Sequence, residues 1–102
     1  MITNYPDKWL ILEITDKTHG TFRKILGSWY GGYLGSDSYR VSSAVQKSTE
    51  TENDYEFVTE TSVYICRKGS QGMNPIATTV LVKMTNHAES VGSTVKVIND
   101  YD

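Results

Sequence analysis

Ser28-Trp-Tyr-Gly-Gly-Tyr-Leu-Gly-Ser-Asp-Ser-Tyr-Arg-Val-Ser-Ser-Ala-Val45 packs four large aromatics and three glycines into a stretch where a plain connection would be polar. It then runs into an alternating pattern. Tyr39, Val41, Ser43 and Val45 oppose Arg40, Ser42, Ala44 and Gln46, which predicts a strand over Tyr39–Lys47 with one polar face. Upstream, Leu10, Leu12 and Ile14 alternate with Trp9, Ile11 and Glu13, giving a first strand over Lys8–Thr15. Asp16–Gly20 reads as a turn. Thr21–Trp29 returns as a second strand, with Ile25 and Trp29 on one face and Phe22 and Leu26 on the other. Apolar weight on both faces fits a curled sheet.

Downstream, Ser48–Asp54 is a polar, acidic connection, and Tyr55–Thr59 with Ser62–Lys68 form a hairpin around Glu60 and Thr61. Asn74 before Pro75 is a helix start, because Asn caps free amides and proline fits the first helical position. Ile76, Val80, Met84 and Ala88 then recur every four residues along one side. Thr78, Thr79, Val80 and Val82 are β-branched and pull toward strand, so the expected helix near residues 75–88 competes with that alternative. Ser93–Ile98 reads as a last strand before a frayed Asn-Asp-Tyr-Asp tail. The expected fold is mainly β: a small, strongly bent antiparallel sheet or SH3/Sm-like barrel of five to six strands with one short helix.

With 102 residues the chain forms a single β-rich domain, 1–102, with one modest core. A net charge of −2, with both signs interspersed, lacks the basic field most nucleic-acid binders carry. Cys66, the single cysteine, lies in the apolar run Val63–Cys66 and reads as a buried small hydrophobe. The longest apolar run, Trp9–Leu12, is far below the roughly 18 residues of a membrane span. The opening Met-Ile-Thr-Asn-Tyr-Pro-Asp has neither the charge nor the core of a signal peptide. A cytoplasmic protein without membrane contact is expected.

No catalytic constellation is legible, and neither enzyme activity, metal nor cofactor is expected. His19 and His87 lack a ligand spacing and read as solvated. Glu50, Glu52, Asp54, Glu56 and Glu60 alternate with Thr and Asn as a solvated acidic loop would. Gly31, Gly32 and Gly35 are not followed by Lys-Ser/Thr and a helix, so they do not form a phosphate loop.

Binding is the stronger reading. Trp29, Tyr30, Tyr33 and Tyr39, with Arg40 beside them, are residue types that anchor protein interfaces or stack on bases, and they also fill small cores. The three roles stay open. The run Gly27–Val45, with Gly72-Met-Asn74, resembles small uncharacterised proteins of marine bacteriophages, chiefly those infecting cyanobacteria. That resemblance implies an accessory protein in an infected host cell and carries no activity with it. Val63-Tyr-Ile-Cys-Arg-Lys-Gly69 is similar to the second motif of the Sm-like (Lsm) barrel family, an apolar strand ending in Arg-Gly, with Lys68 inserted here. Two functions follow as expectations. One is a non-catalytic interaction protein that forms homo-oligomers or meets another protein. The other, implied by the Sm-like resemblance, is an oligomer binding single-stranded RNA or DNA through Tyr39, Arg40 and Arg67.

Overall fold

The computed structural model describes residues 1–98, except for the side chain of Tyr33; the predicted frayed tail lies outside the described residues. Its centre is one long hairpin. Strands β2 (Lys8–Asp16) and β3 (Gly20–Trp29) pair antiparallel over their whole length, Lys8 opposite Ser28 and Asp16 opposite Gly20. The Asp16 carboxylate forms the turn by accepting the backbone N–H groups of His19 and Thr18. The His19 N–H is also the main reason its carboxyl sits below the usual range.

Both faces of this hairpin are apolar because it lies in a middle layer. One sheet runs β4 (Ser38–Val41), β3, β2, β8 (Thr94–Ile98) and the other β1 (Ile2–Asn4), β7 (Ser62–Arg67), β6 (Asp54–Thr59), β5 (Val45–Glu50). Between them Trp9, Ile11 and Ile25 meet Tyr55, Phe57, Tyr64 and Cys66. On the opposite face Leu12 and Leu26 bury against helix α1 (Pro75–Ser90), with Leu81, Met84, Val95 and Val97 around them. The order is sheet, sheet, helix, so each strand of the middle layer needs apolar residues at consecutive positions.

The fold is mainly β, as the alternation implies, but among the described residues eight strands in two sheets replace the expected single bent sheet or SH3/Sm-like barrel of five to six strands. No closed barrel is present among the described residues. The difference arises at Ser42. The expected strand Tyr39–Lys47 divides into β4 (Ser38–Val41), which pairs with β3, and β5 (Val45–Glu50), which joins the other sheet. Ser42 is buried; its N–H donates to Ile25 O at 2.9 Å and its Oγ accepts from Ile25 N at 2.8 Å. Pairing to β3 ends there, and the small residues Ser43 and Ala44 let the chain cross between layers.

Three smaller corrections have local causes. The Ser48–Asp54 connection is shorter than expected, because β5 continues to Glu50 and Thr51 closes the turn onto β6 (Asp54–Thr59) with a 2.8 Å bond to Asp54 O. Strand β1 (Ile2–Asn4) adds in parallel to β7 (Ser62–Arg67), a pairing too short to leave a periodic signal. The helix forms at Asn74-Pro75 as predicted, yet its inward stripe is Ala77, Leu81, Met84 and Ala88, with Ile76 exposed and Val80 half-buried. The last strand, β8 (Thr94–Ile98), pairs with β2.

Cys66 is fully buried, and burial pushes its thiol well above the usual range. Reactivity requires an accessible thiolate. In the folded protein Cys66 therefore stays unmodified by an aromatic disulfide reagent at pH 8 and titrates as one thiol in denaturant. Rapid labelling without denaturant would contradict this packing.

Candidate functional site

The aromatic segment caps one end of the sandwich. Trp29, the last residue of β3, is half-buried against the inter-sheet core and donates from Nε1 to Tyr5 O at 3.0 Å. Its ring lies across Gly27, where an added Cβ would come within 3.0 Å of the indole. Only glycine leaves that space. On the neighbouring strand Arg40 reaches from β4 to β1, donating from Nη1 to Asn4 Oδ1 at 3.2 Å. The Arg40 contact joins the edge strands of the two sheets, and between them lies a hollow of about 500 Å³. Tyr5, Trp29, Tyr39 and Arg40 line it together with Asn4 and Gly32, and its lining includes no carboxylate.

Above the hollow, residues 30–37 are held through their backbone N–H groups, by two carboxylates and two carbonyls. Tyr30 N–H donates to Asp7 Oδ2 at 2.8 Å, and Gly31 N–H to Asp37 Oδ1 at 3.1 Å. Gly32 N–H donates to Ser36 O and Gly35 N–H to Gly32 O, each at 2.8 Å, closing a 3-10 turn over Tyr33–Gly35. Gly31 and Leu34 both have left-handed backbone, with φ of 60° and 61°. Glycine accepts this freely, whereas a leucine there is strained. The turn leaves the Leu34 side chain 87% exposed.

The base of the loop is fixed by Asn74. Its Nδ2 donates to Trp29 O at 3.0 Å and Ser38 O at 2.8 Å, while its Oδ1 accepts from Ala77 N–H at 2.8 Å. One buried side chain thus caps the helix and clamps both ends of the aromatic loop.

Of the sequence-selected residues, Trp29, Tyr39 and Arg40 line one hollow. Tyr30, at 48% exposure, begins the loop beyond it, and the side chain of Tyr33 lies outside the description. Arg67 is apart from Tyr39 and Arg40: it lines a second hollow of about 440 Å³ with Tyr5, Asp7, Asp54 and Ser70. Tyr5 is a wall of both. Sequence reasoning missed Tyr5 and Leu34. Tyr5 became part of the site through the unforeseen strand β1, and Leu34 carries no signal except its glycine neighbours.

The residues weighed for chemistry are dispersed. His19 pairs with Asp16 at 3.2 Å, Glu50 pairs with Lys68 at 2.6 Å, and His87 lies in the last turn of α1. Among the described residues no three His, Cys, Asp or Glu side chains converge as metal ligands, and no helix is long and apolar enough to cross a membrane. Searches against family models, curated proteins and solved structures return no match to this chain.

Proposed function

We propose that this chain is a non-catalytic interaction protein that self-associates, with its aromatic end as part of the interface. One observation carries the reading: a backbone-braced loop holds Tyr30 and Leu34 in solvent beside a hollow walled by exposed Tyr5 and Tyr39. Tyrosine and tryptophan give large contact area at small entropic cost, and ordering the loop beforehand lowers the cost of binding. The outer edges of β1 and β4 flank the hollow without a strand partner among the described residues. Such edges invite pairing. In the terms of the phage resemblance, the assembly would be an accessory protein's, at work in the cytoplasm of an infected host cell.

Tyr39→Ala tests this reading because the ring is exposed. Removing it leaves the thermal midpoint within about 2 °C, since surface substitutions usually move stability little. Association, followed by light scattering, weakens about tenfold or more, as expected for an interface aromatic. Unchanged association would remove the hollow from the interface.

Arg40 beside Tyr39 and Trp29 supports the second reading, single-stranded nucleic acid stacked on the rings with phosphate on the guanidinium. It is weaker, because Arg67 lies in the other hollow with Asp7 and Asp54 and the chain is acidic overall. Fluorescence anisotropy with a labelled oligonucleotide checks it. Binding that falls steeply with salt would advance this reading, and none at low salt would end it.

A further inference from the structure

We infer that two copies of this chain join edge to edge through β1, the two strands running antiparallel about a twofold axis at Thr3. The inference rests on the self-association reading and names the surface that carries it. It starts from the sheet edges. Among the described residues each sheet ends in two strands with a neighbour on one side only, β1 and β5 in one sheet and β4 and β8 in the other. An open edge invites a further strand unless a charge, a proline or a bulge guards it. Strand β5 carries Lys47, Glu50 and a register shift between Val45 and Lys47. Strand β8 has Lys96 at its centre, and β4 has Arg40. Strand β1, Ile2-Thr3-Asn4, has none of these guards within it. Apolar side chains are displayed there instead: Met1, Ile2 and Tyr5 are 78%, 62% and 67% exposed.

The backbone of β1 is already set for a second partner. It lies parallel to β7 with Ile2 opposite Ser62 and Asn4 opposite Tyr64, and Ile2 N–H donates to Thr61 O at 3.3 Å. In such a ladder alternate residues bond to the same neighbour. Ile2 and Asn4 are therefore engaged by β7, and Thr3 turns its N–H and C=O to the open side. That side is clear, because Thr3 is exposed and lines the hollow of about 500 Å³. In an antiparallel pair, two residues that exchange both backbone bonds lie about a local twofold axis. Thr3 thus pairs with Thr3 of the other copy, a self-complementary centre with two bonds.

The centre fixes the rest of the register. Ile2 falls opposite Asn4, and Met1 opposite Tyr5, of the other copy. Thr–Thr pairs are favourable across strands, and a methionine sulfur beside an aromatic ring adds to them. The charges bordering the strand are the Met1 ammonium and Arg40, whose Nη1 is held by Asn4 Oδ1. In this register they stand opposite the uncharged Tyr5 and Ile2 and not opposite their own copies. The joint merges two four-stranded sheets into one, ordered β5-β6-β7-β1-β1-β7-β6-β5. Assembly stops at two copies, because a twofold contact uses the same edge of both. Tyr39 lines the same hollow as Thr3, so the added strand brings its ring into the contact.

Two substitutions at Thr3 decide it. Thr3→Pro deletes the outward N–H and leaves Ile2 and Asn4 to hold β7, the one arrangement in which an edge strand accepts proline. Each dimer loses two backbone bonds, one from each copy, and takes a ring into the seam, so association is expected to weaken about tenfold or more. Thr3→Cys reports independently of any effect of proline on the fold. Opposed residues in a bonded antiparallel pair have Cα atoms about 5.5 Å apart, within disulfide reach. Mild oxidation is expected to convert Thr3→Cys to a covalent dimer, while Thr49→Cys, on the guarded edge β5, stays single; the native Cys66 is buried and takes no part. Association of Thr3→Pro equal to wild type, or cross-linking of Thr3→Cys no faster than that of Thr49→Cys, would overturn the β1 joint while leaving self-association standing. A wild-type chain that stays monomeric at all concentrations would overturn both.

Discussion

Asn74→Ala unfolds in urea with a stability lower by about 2–4 kcal/mol than wild type, the combined effect of losing a helix cap and the amide's bonds to two part-buried carbonyls. The cap alone is worth about 1 kcal/mol. The remainder comes from Trp29 O and Ser38 O, which the Asn74 amide serves from a fully buried position. Asn74→Asp separates the two roles. A carboxylate keeps an oxygen for the Ala77 N–H but turns acceptor against acceptor at both loop carbonyls. It should be no better than alanine, whereas a residue that acted only as a cap would tolerate aspartate. Stability of both variants within about 0.5 kcal/mol of wild type would show that the loop is not clamped by this side chain.

Trp9→Ala is the second large effect, a loss of about 3–5 kcal/mol. Trp9 is fully buried at the centre of the sandwich, with its ring 5.8 Å from Tyr55 in an edge-on arrangement and 5.9 Å from Phe57. Its Nε1 donates to Arg67 O at 2.8 Å, and its backbone pairs with Ser70 and Gly72 where the chain leaves β7. Removal opens a cavity and takes one of two hydrogen bonds from the Arg67 carbonyl, which keeps the Ser70 N–H at 3.2 Å. Domains of this size have about 5–15 kcal/mol to lose, so the variant sits near the edge of folding. Trp9→Phe keeps most of the apolar contact and loses the bond, which predicts a cost of about 1–3 kcal/mol in chemical denaturation. Equal stabilities for tryptophan and phenylalanine would remove the Nε1 bond from this account.

The elements legible in the sequence are those whose local signal is also their tertiary role. The β2–β3 hairpin announces itself through alternation bounded by an Asp-to-Gly turn, the β6–β7 hairpin through two apolar-rich runs on either side of Glu60 and Thr61, and α1 through Asn74-Pro75. Apolar weight on both faces of β2 and β3 was also visible. A curled single sheet and a middle layer produce the same pattern, and only the helix stacked on Leu12 and Leu26 separates them. The division at Ser42 was hidden for a related reason. A period of two continues unbroken from Tyr39 to Gln46 whichever sheet each half joins, and the switch rests on two hydrogen bonds to Ile25 that span 17 positions. On the helix, a four-residue spacing drifts around the axis, so Ile76 and Ala77 compete as the first inward residue and the crossing over Leu26 selects the alanine.

The candidate site was legible as composition and not as geometry. Trp29, Tyr39 and Arg40 stand out by residue type, and the structure gathers them at one hollow. Arg67 shares their chemistry but lies in the adjoining hollow with Asp7 and Asp54. Leu34 is the reverse case. Nothing in its identity marks it, and its exposure follows from backbone turns set by Gly31, Gly35 and the carboxylate of Asp37.

The most direct test of the central claim is the mass of the wild-type protein in solution, measured by light scattering across a wide concentration range. Self-association predicts a weight-average mass that climbs above the 11.5 kDa of one chain as concentration rises and falls back toward it on dilution. A mass that remains 11.5 kDa at every concentration would contradict it.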